Sequence, residues 1–295
     1  MTAPAATAVR WELLRALGAV ADSPDAARAV APALGLGPVS YAGHTGVFVL
    51  NAAPYASVYL GPEGALGGEG TDRVAGFWRA LGLTPPAEPD HLTALLTLYA
   101  HLGEAAAGSH RATTAAALAR SQAALLTEHL WPWLPGYLDA VAELGQPAVT
   151  AWADLTQRAL SAELGTRPAG RQLPLALRAA PPPPGADATP GDLIAALTAP
   201  IRSGIILTRH RLAIGAGQAG VGHRIGERRF TLRAMLGQDP AATLAWLAAE
   251  ACRWQHRHAA RPDPASQWWA GRAAQTATLL DGLTASSTAA RDRRD

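Results

Sequence analysis

The stretch DHLTALLTLYAHL, residues 90–102, decides the fold class. Its apolar side chains fall at Leu92, Leu95, Leu96, Tyr99 and Leu102, the spacing of one helix face. Asp90 precedes them and reads as the N-cap, a side-chain oxygen positioned for a free first-turn N–H. The same period recurs on both sides. Trp11, Leu14, Leu17 and Val20 mark a first helix, and Ser23-Pro24 supplies the cap and first residue of the next. Thr71 caps a helix that runs to about Leu81 and is closed by Gly82. A long helix begins near Arg111, carries Leu118, Leu125 and Leu126, and must kink or stop near Pro132 or Pro135. Pro147 opens another through Leu164, with Trp152 and Leu155 facing inward. Further helices are expected near 191–199, 207–217, 227–237, 240–258 and 264–284, where Asp239-Pro240 repeats the cap-then-proline signature. GVFVL at 46–50 could pass for a strand, but nothing nearby offers a pairing partner. An all-α helical bundle is the expected architecture.

Composition agrees. Of 295 residues 49% are hydrophobic, mostly Ala and Leu, and all 25 basic residues are Arg. The lone Cys252 excludes an intramolecular disulfide framework and a cysteine-based zinc site. No apolar run reaches membrane-spanning length, and the N-terminus lacks a basic stretch ahead of an apolar one, so a cytoplasmic protein without stable membrane insertion is expected. Charge is uneven. Residues 1–199 carry 11 Arg and 16 acids, whereas 200–295 carry 14 Arg and 7 acids. Six acids between 59 and 104 (Glu63, Glu69, Asp72, Glu88, Asp90, Glu104) face only Arg73 and Arg79, a stretch that would attract a basic ligand or simply solvate a surface. The run of four Pro at 181–184 marks a stiff spacer. The expected organisation is a helical core over 1–165, a Pro-rich linker over 166–190, a C-terminal helical region over 191–285, and a frayed tail over 286–295.

Several motifs carry a chemical reading beside a plainer one. IGAGQAG at 214–220 matches G-x-G-x-x-G, but TRHRLA before it is too polar for a buried strand, so a Gly-rich inter-helix connection fits better than a nucleotide loop. Cys252 and His256 share a helix face, yet His258 lies off it and no second ligand pair exists, so no metal is expected. No G-x-S-x-G elbow is present, and no catalytic residue is assigned. Arg228-Arg229-Phe230-Thr231-Leu232 resembles the core of a twin-arginine export signal but is internal, and reads as a surface Arg pair beside a buried Phe. The basic C-terminal region supports a rival reading, a helical nucleic-acid-binding regulator. Its Arg are scattered and no groove-reading motif accompanies them, so nucleic acid is not the expected partner.

Two clusters are more informative. Pro89-Asp90-His91-Leu92 and Glu128-His129-Leu130-Trp131-Pro132-Trp133-Leu134-Pro135 each place a carboxylate beside a His among aromatic and Pro residues. Together they could form a polar rim beside an apolar groove. Taken separately, Asp90 is a helix cap, Trp131 and Trp133 are core, and Pro135 is a helix stop.

The order PYASVYLGPEGALGG (54–68), Phe77-Trp78, PDHL (89–92), EHLWPWLPGY (128–137) and AWADLTQRAL (151–160) resembles the TorD/DmsD/NarJ family of maturation chaperones for molybdenum-containing redox enzymes. The likeness runs over roughly 45–165, and residues 200–212 and 224–240 resemble the tail of longer members. It implies an all-helical, non-catalytic chaperone without its own cofactor. The implied client is of the dimethyl-sulfoxide-reductase or formate-dehydrogenase kind, held in its apo form until molybdopterin is inserted. It also implies binding of the client's twin-arginine leader through Asp90, His91, Glu128, His129, Trp133 and Pro135, with Tyr59 and Trp78 as weaker transfers. Members can exchange helices between subunits, and the long linker is compatible with such a homodimer. A twin-arginine leader joins two guanidiniums to an apolar, helix-prone stretch, so carboxylates beside an apolar groove suit it.

Overall fold

The computed structural model describes residues 3–166, 172–185 and 187–291. It is helical throughout, and among the described residues no strand forms; the extended pairing consists of one antiparallel bridge between Tyr55 and His91. The chain divides into two compact units. The first comprises Met1–Ser57 and Leu66–Pro174, the second Val58–Ala65 and Leu175–Asp295.

The first unit is built on α1 (Ala3–Asp22), followed by α2 (Pro24–Val30) and the single turn α3 (Tyr41–His44). Ser23 accepts from the Ala26 amide, which fixes the start of α2 with Pro24 in its first turn. The stretch read as a candidate strand is instead a π-helical turn, Thr45–Val49, which continues α3. Helical hydrogen bonding satisfies its backbone without a neighbouring strand, and Val47 and Phe48 still reach the core. The helix α4 (Ala56–Leu60) starts in this unit and ends in the other. The remaining helices are α5 (Gly68–Ala80), α6 (Leu92–Gly108), α7 (Ala112–Ala124), α8 (Leu134–Ala142) and α9 (Pro147–Gly165).

Helix α6 is the centre of this unit and packs along α1 and α7. Leu14, Leu17, Leu92, Leu95, Leu96 and Tyr99 are essentially inaccessible. Each buried leucine contributes about 1.5–3 kcal/mol of transfer free energy. Gly103 lets Trp11 lie against the α6 backbone; a Cβ there would meet the indole at 2.4 Å. Trp152 on α9 is fully buried and donates its Nε1–H to the Leu17 carbonyl at 2.8 Å, which ties α9 to α1. Glu163 is buried and is held by Arg10 and by the Tyr99 hydroxyl. The helical stretch expected from Arg111 stops just before Pro132, its last part being a second π-helical turn, Leu125–Leu130; Pro135 sits in the first turn of α8, so it starts a helix rather than stopping one.

The second unit contains α10 (Leu175–Arg178), α11 (Pro190–Leu197), α12 (Pro200–Ser203), α13 (Arg209–Gln218), α14 (Arg228–Gln238), α15 (Pro240–Ala259) and α16 (Pro264–Arg291). Asp239 caps α15 through the Ala242 amide ahead of Pro240. The pair α15 and α16 forms its largest helix–helix contact. Inside it, His258 packs between Trp254 and Trp269 and places Nε2 3.1 Å from the Gly204 carbonyl. Burial pushes His258 down to about 4, so it is neutral at ordinary pH. Glu250, also buried, is bound by both Arg211 and Arg253. Burial opposes its charge, yet the two guanidiniums hold it below the usual carboxylate range.

Two motifs change meaning here. Gly215 and Gly217 lie inside α13, and a Cβ at Gly215 would meet the Trp246 ring at 2.3 Å. The glycine pattern is therefore a helix-packing device in part, not simply a connection. In RRFTL the inward positions of α14 are Thr231, Leu232 and Met235, so Phe230 points outward and is 48% exposed, not buried. The two arginines turn inward. Arg228 donates to the carbonyls of Gly64 (3.1 Å) and Leu207 (3.4 Å), and Arg229 to that of Glu63 (2.8 Å) and to Thr198 Oγ1 (3.3 Å). They hold Val58–Ala65 in this unit. Gly64, at φ +62°, presses on Ala199 so closely that a Cβ would meet its Cα at 2.6 Å. The tetraproline 181–184 has no regular secondary structure, and α10 occupies part of the expected linker. Helix α16 continues to Arg291, into the stretch expected to fray; residues 292–295 lie outside the described residues.

Candidate functional site

Four of the residues singled out in the sequence gather at α5 in the first unit: Trp78 lies on it, Asp90 and His129 touch it, and Trp133 bonds His129. Asp90 is 2% exposed. Its Oδ2 accepts from the Ser57 amide at 2.9 Å and its Oδ1 from the Thr71 hydroxyl at 3.0 Å. The backbone around it is pinned as well: Ala56 N–H donates to the Asp90 carbonyl and Leu92 N–H to that of Pro54. Asp90 therefore joins the start of α4 to α5 and does not cap α6. That cap is His91, whose Nδ1 accepts from the Thr93 amide at 3.2 Å. The reason is tertiary. A carboxylate committed to an amide 33 residues earlier in the chain cannot also reach the first turn of α6.

His91 is buried beneath Tyr55, ring centroids 4.7 Å apart. Burial lowers its pKa, and burial together with Glu88 pushes the Tyr55 phenol up to about 12. Trp78, near the end of α5, is half-buried and donates Nε1–H to the Pro89 carbonyl at 3.3 Å. On α5 one residue earlier, Phe77 meets His129 of the second π turn at 4.8 Å. His129 is buried, and desolvation, reinforced by Arg73, pushes it down to about 4. Its carbonyl receives Trp133 Nε1–H at 2.8 Å, and Trp133 packs on Tyr137. Glu128 is half-buried on the same π turn, and Pro135 is buried in the first turn of α8.

The site differs from the expected rim in three ways. Asp90 faces inward and is consumed by two donors. Tyr59 is buried in the second unit, among the groups that surround Arg228, and burial raises its pKa. A surface cavity of about 610 Å³ in the first unit is lined by Arg28, Val39, Tyr41, Gln146, Pro147 and their neighbours, and by none of the residues singled out. The acidic stretch 59–104 is likewise not one patch. Glu104 pairs with Arg15, Asp90 is internal, and Glu63 belongs to the second unit. Sequence reasoning missed Ser57 and misread Thr71, which lies inside α5 instead of capping it and gives its hydroxyl to Asp90; Phe77 entered only through the family resemblance. A hydroxyl 19 residues before a buried carboxylate has no local signal; only the fold brings the two together.

Among the described residues no group of three or more His, Cys, Asp or Glu is placed to hold a metal, and no helix is long and apolar enough to cross a membrane. What the fold and this region define is an all-helical scaffold in which π2 (Leu125–Leu130) and the approach to α6 both contact α5. Residues 41–139 match the family model described as the nitrate reductase delta subunit, a family within the TorD/DmsD/NarJ group of molybdoenzyme maturation chaperones. The match covers roughly a third of the chain. No curated protein matches the chain significantly.

Proposed function

We propose that this protein is a cytoplasmic chaperone that binds the twin-arginine leader and the apo catalytic subunit of a molybdopterin-dependent oxidoreductase, and holds that subunit until its cofactor is inserted. The observation that carries the reading is the extent of the family match: residues 41–139 contain all eight residues singled out for leader binding. Within that span we assign different roles. Glu128 and Trp78, both half-buried, are the side chains that contact a leader. Asp90, His91, His129, Trp133 and Pro135, all buried, are positioning residues that fix α5, π2 and α8 beneath them. Tyr59, in the second unit, takes no direct part. The apolar part of the leader supplies most of the affinity, and a partly exposed carboxylate sets register and on-rate. No covalent step is needed.

Fluorescence anisotropy of the full chain with labelled twin-arginine leaders of the molybdoenzymes of its own organism tests the reading. Saturable binding is expected, weakened about fivefold by Glu128→Gln, the worth of one partly screened charge-assisted contact. Failure to bind any such leader overturns it.

A further inference from the structure

We propose that the loop 221–227 and the start of α14 form a peripheral docking surface for anionic lipid headgroups. Ile225 is 89% exposed, the most exposed of the large apolar side chains described. Phe230, 48% exposed, lies over Gly226 so closely that a Cβ there would meet its ring at 2.7 Å, so the aromatic ring packs on the loop that carries Ile225. The charged side chains around them are three arginines and one acid. Arg224 and Arg233 are exposed, Arg209 is exposed close to Arg228, and Glu227 is the acid between them.

The loop is fastened rather than slack. Gln238, at the far end of α14, accepts from the Gly222 amide at 2.8 Å and donates to the Gly222 carbonyl at 2.9 Å. The Thr231 hydroxyl donates to the Arg224 carbonyl at 2.9 Å. Two clamps from one helix thus hold the loop on both sides of His223, and Ile225 is displayed on a shaped turn. Exposing an isoleucine this fully forfeits burial energy, and fixing the loop adds an entropic cost.

The chemistry selects the occupant. Ile225 stands almost wholly in water with exposed Arg224 beside it, an apolar tip flanked by cations, which is the pairing an anionic bilayer surface complements. A fluid interface closes around an exposed apolar tip and presents phosphates to the arginines beside it. The surface lies wholly in the second unit and is independent of the leader-binding reading, and its failure would leave that reading untouched.

Co-sedimentation of the full chain with vesicles tests it. We expect binding to phosphatidylcholine vesicles that contain phosphatidylglycerol, little binding to phosphatidylcholine alone, and release by salt. Arg224→Gln and Arg233→Gln should each weaken binding about fivefold. Ile225→Ser should weaken it tenfold or more, whereas Ile225→Leu retains it. Three results would overturn the proposal: no vesicle binding; equal binding to both vesicle types; or binding indifferent to Ile225→Ser. A preference for polyglutamate or duplex DNA over the anionic vesicles would overturn it as well.

Discussion

Two loops of this protein lead into helices and use their polar residues in opposite ways. The approach to α6 in the first unit turns its chemistry inward. Asp90 ties Ser57 to Thr71, His91 caps the helix from beneath Tyr55, and Pro89 receives Trp78. The approach to α14 in the second unit is clamped from outside by Gln238 and Thr231, and sends Ile225 and Arg224 to the surface. The first loop is richer in motif, yet its side chains are occupied with holding the scaffold. The second carries little motif and shows its side chains to whatever approaches. A conspicuous cluster of functional residue types is thus not the same thing as an accessible one.

The contrast is sharpest in stability. Asp90→Ala leaves the Ser57 amide and the Thr71 hydroxyl without their acceptor in a buried setting. A loss of about 3–4 kcal/mol in urea unfolding is expected. A cost below about 1 kcal/mol would mean that water reaches the site and that the two loops are alike.

Acid provides the next comparison. His129, packed on Phe77 beside the inward region, titrates near 4 when folded, below its ordinary value of 6.5. Between those values the unfolded chain binds more protons. Stability is therefore complete above pH 6.5 and falls as pH drops toward 4, by roughly 3 kcal/mol from this group. His258 in the second unit adds a loss over the same window. His129→Leu should flatten the first unit's share of the decline, seen as a shallower dependence of unfolding midpoint on pH; an unchanged slope would show that His129 is solvated.

The smallest effect belongs to the outward loop. Ile225→Ser should change the thermal midpoint by no more than about 0.5 kcal/mol equivalent, because its side chain is almost entirely in water already. A larger drop would place Ile225 in the fold and erase the distinction.

Helix identity was legible because it depends on local period and caps. Ser23, Pro147 and Asp239 stand at helix starts in sequence and structure alike. What escaped depends on distant partners. Whether Asp90 or His91 caps α6 is decided by the Ser57 amide, and neither residue alone reveals it. The π turns at Thr45–Val49 and Leu125–Leu130 need one extra residue per turn, which leaves no mark on composition. Phe230 was misjudged because α14 offers Thr231 and Leu232 as its inward pair, leaving an aromatic residue on the wet side. Of the candidate site, the residue types and the span were readable; which carboxylate is accessible was not.

The crossing of α4 from one unit to the other bears on how the chain matures. A ribosome delivers Val58–Ala65 long before Arg228 and Arg229, the residues that grip it. The second unit therefore cannot be completed until α14 has emerged, whereas most of the first can form during synthesis. Cutting the chain within the Pro-rich spacer would strand Val58, Tyr59 and Leu60 without the helices that cover them. A truncated N-terminal half would then begin life with an apolar wound, and would be prone to clump where the full chain is not.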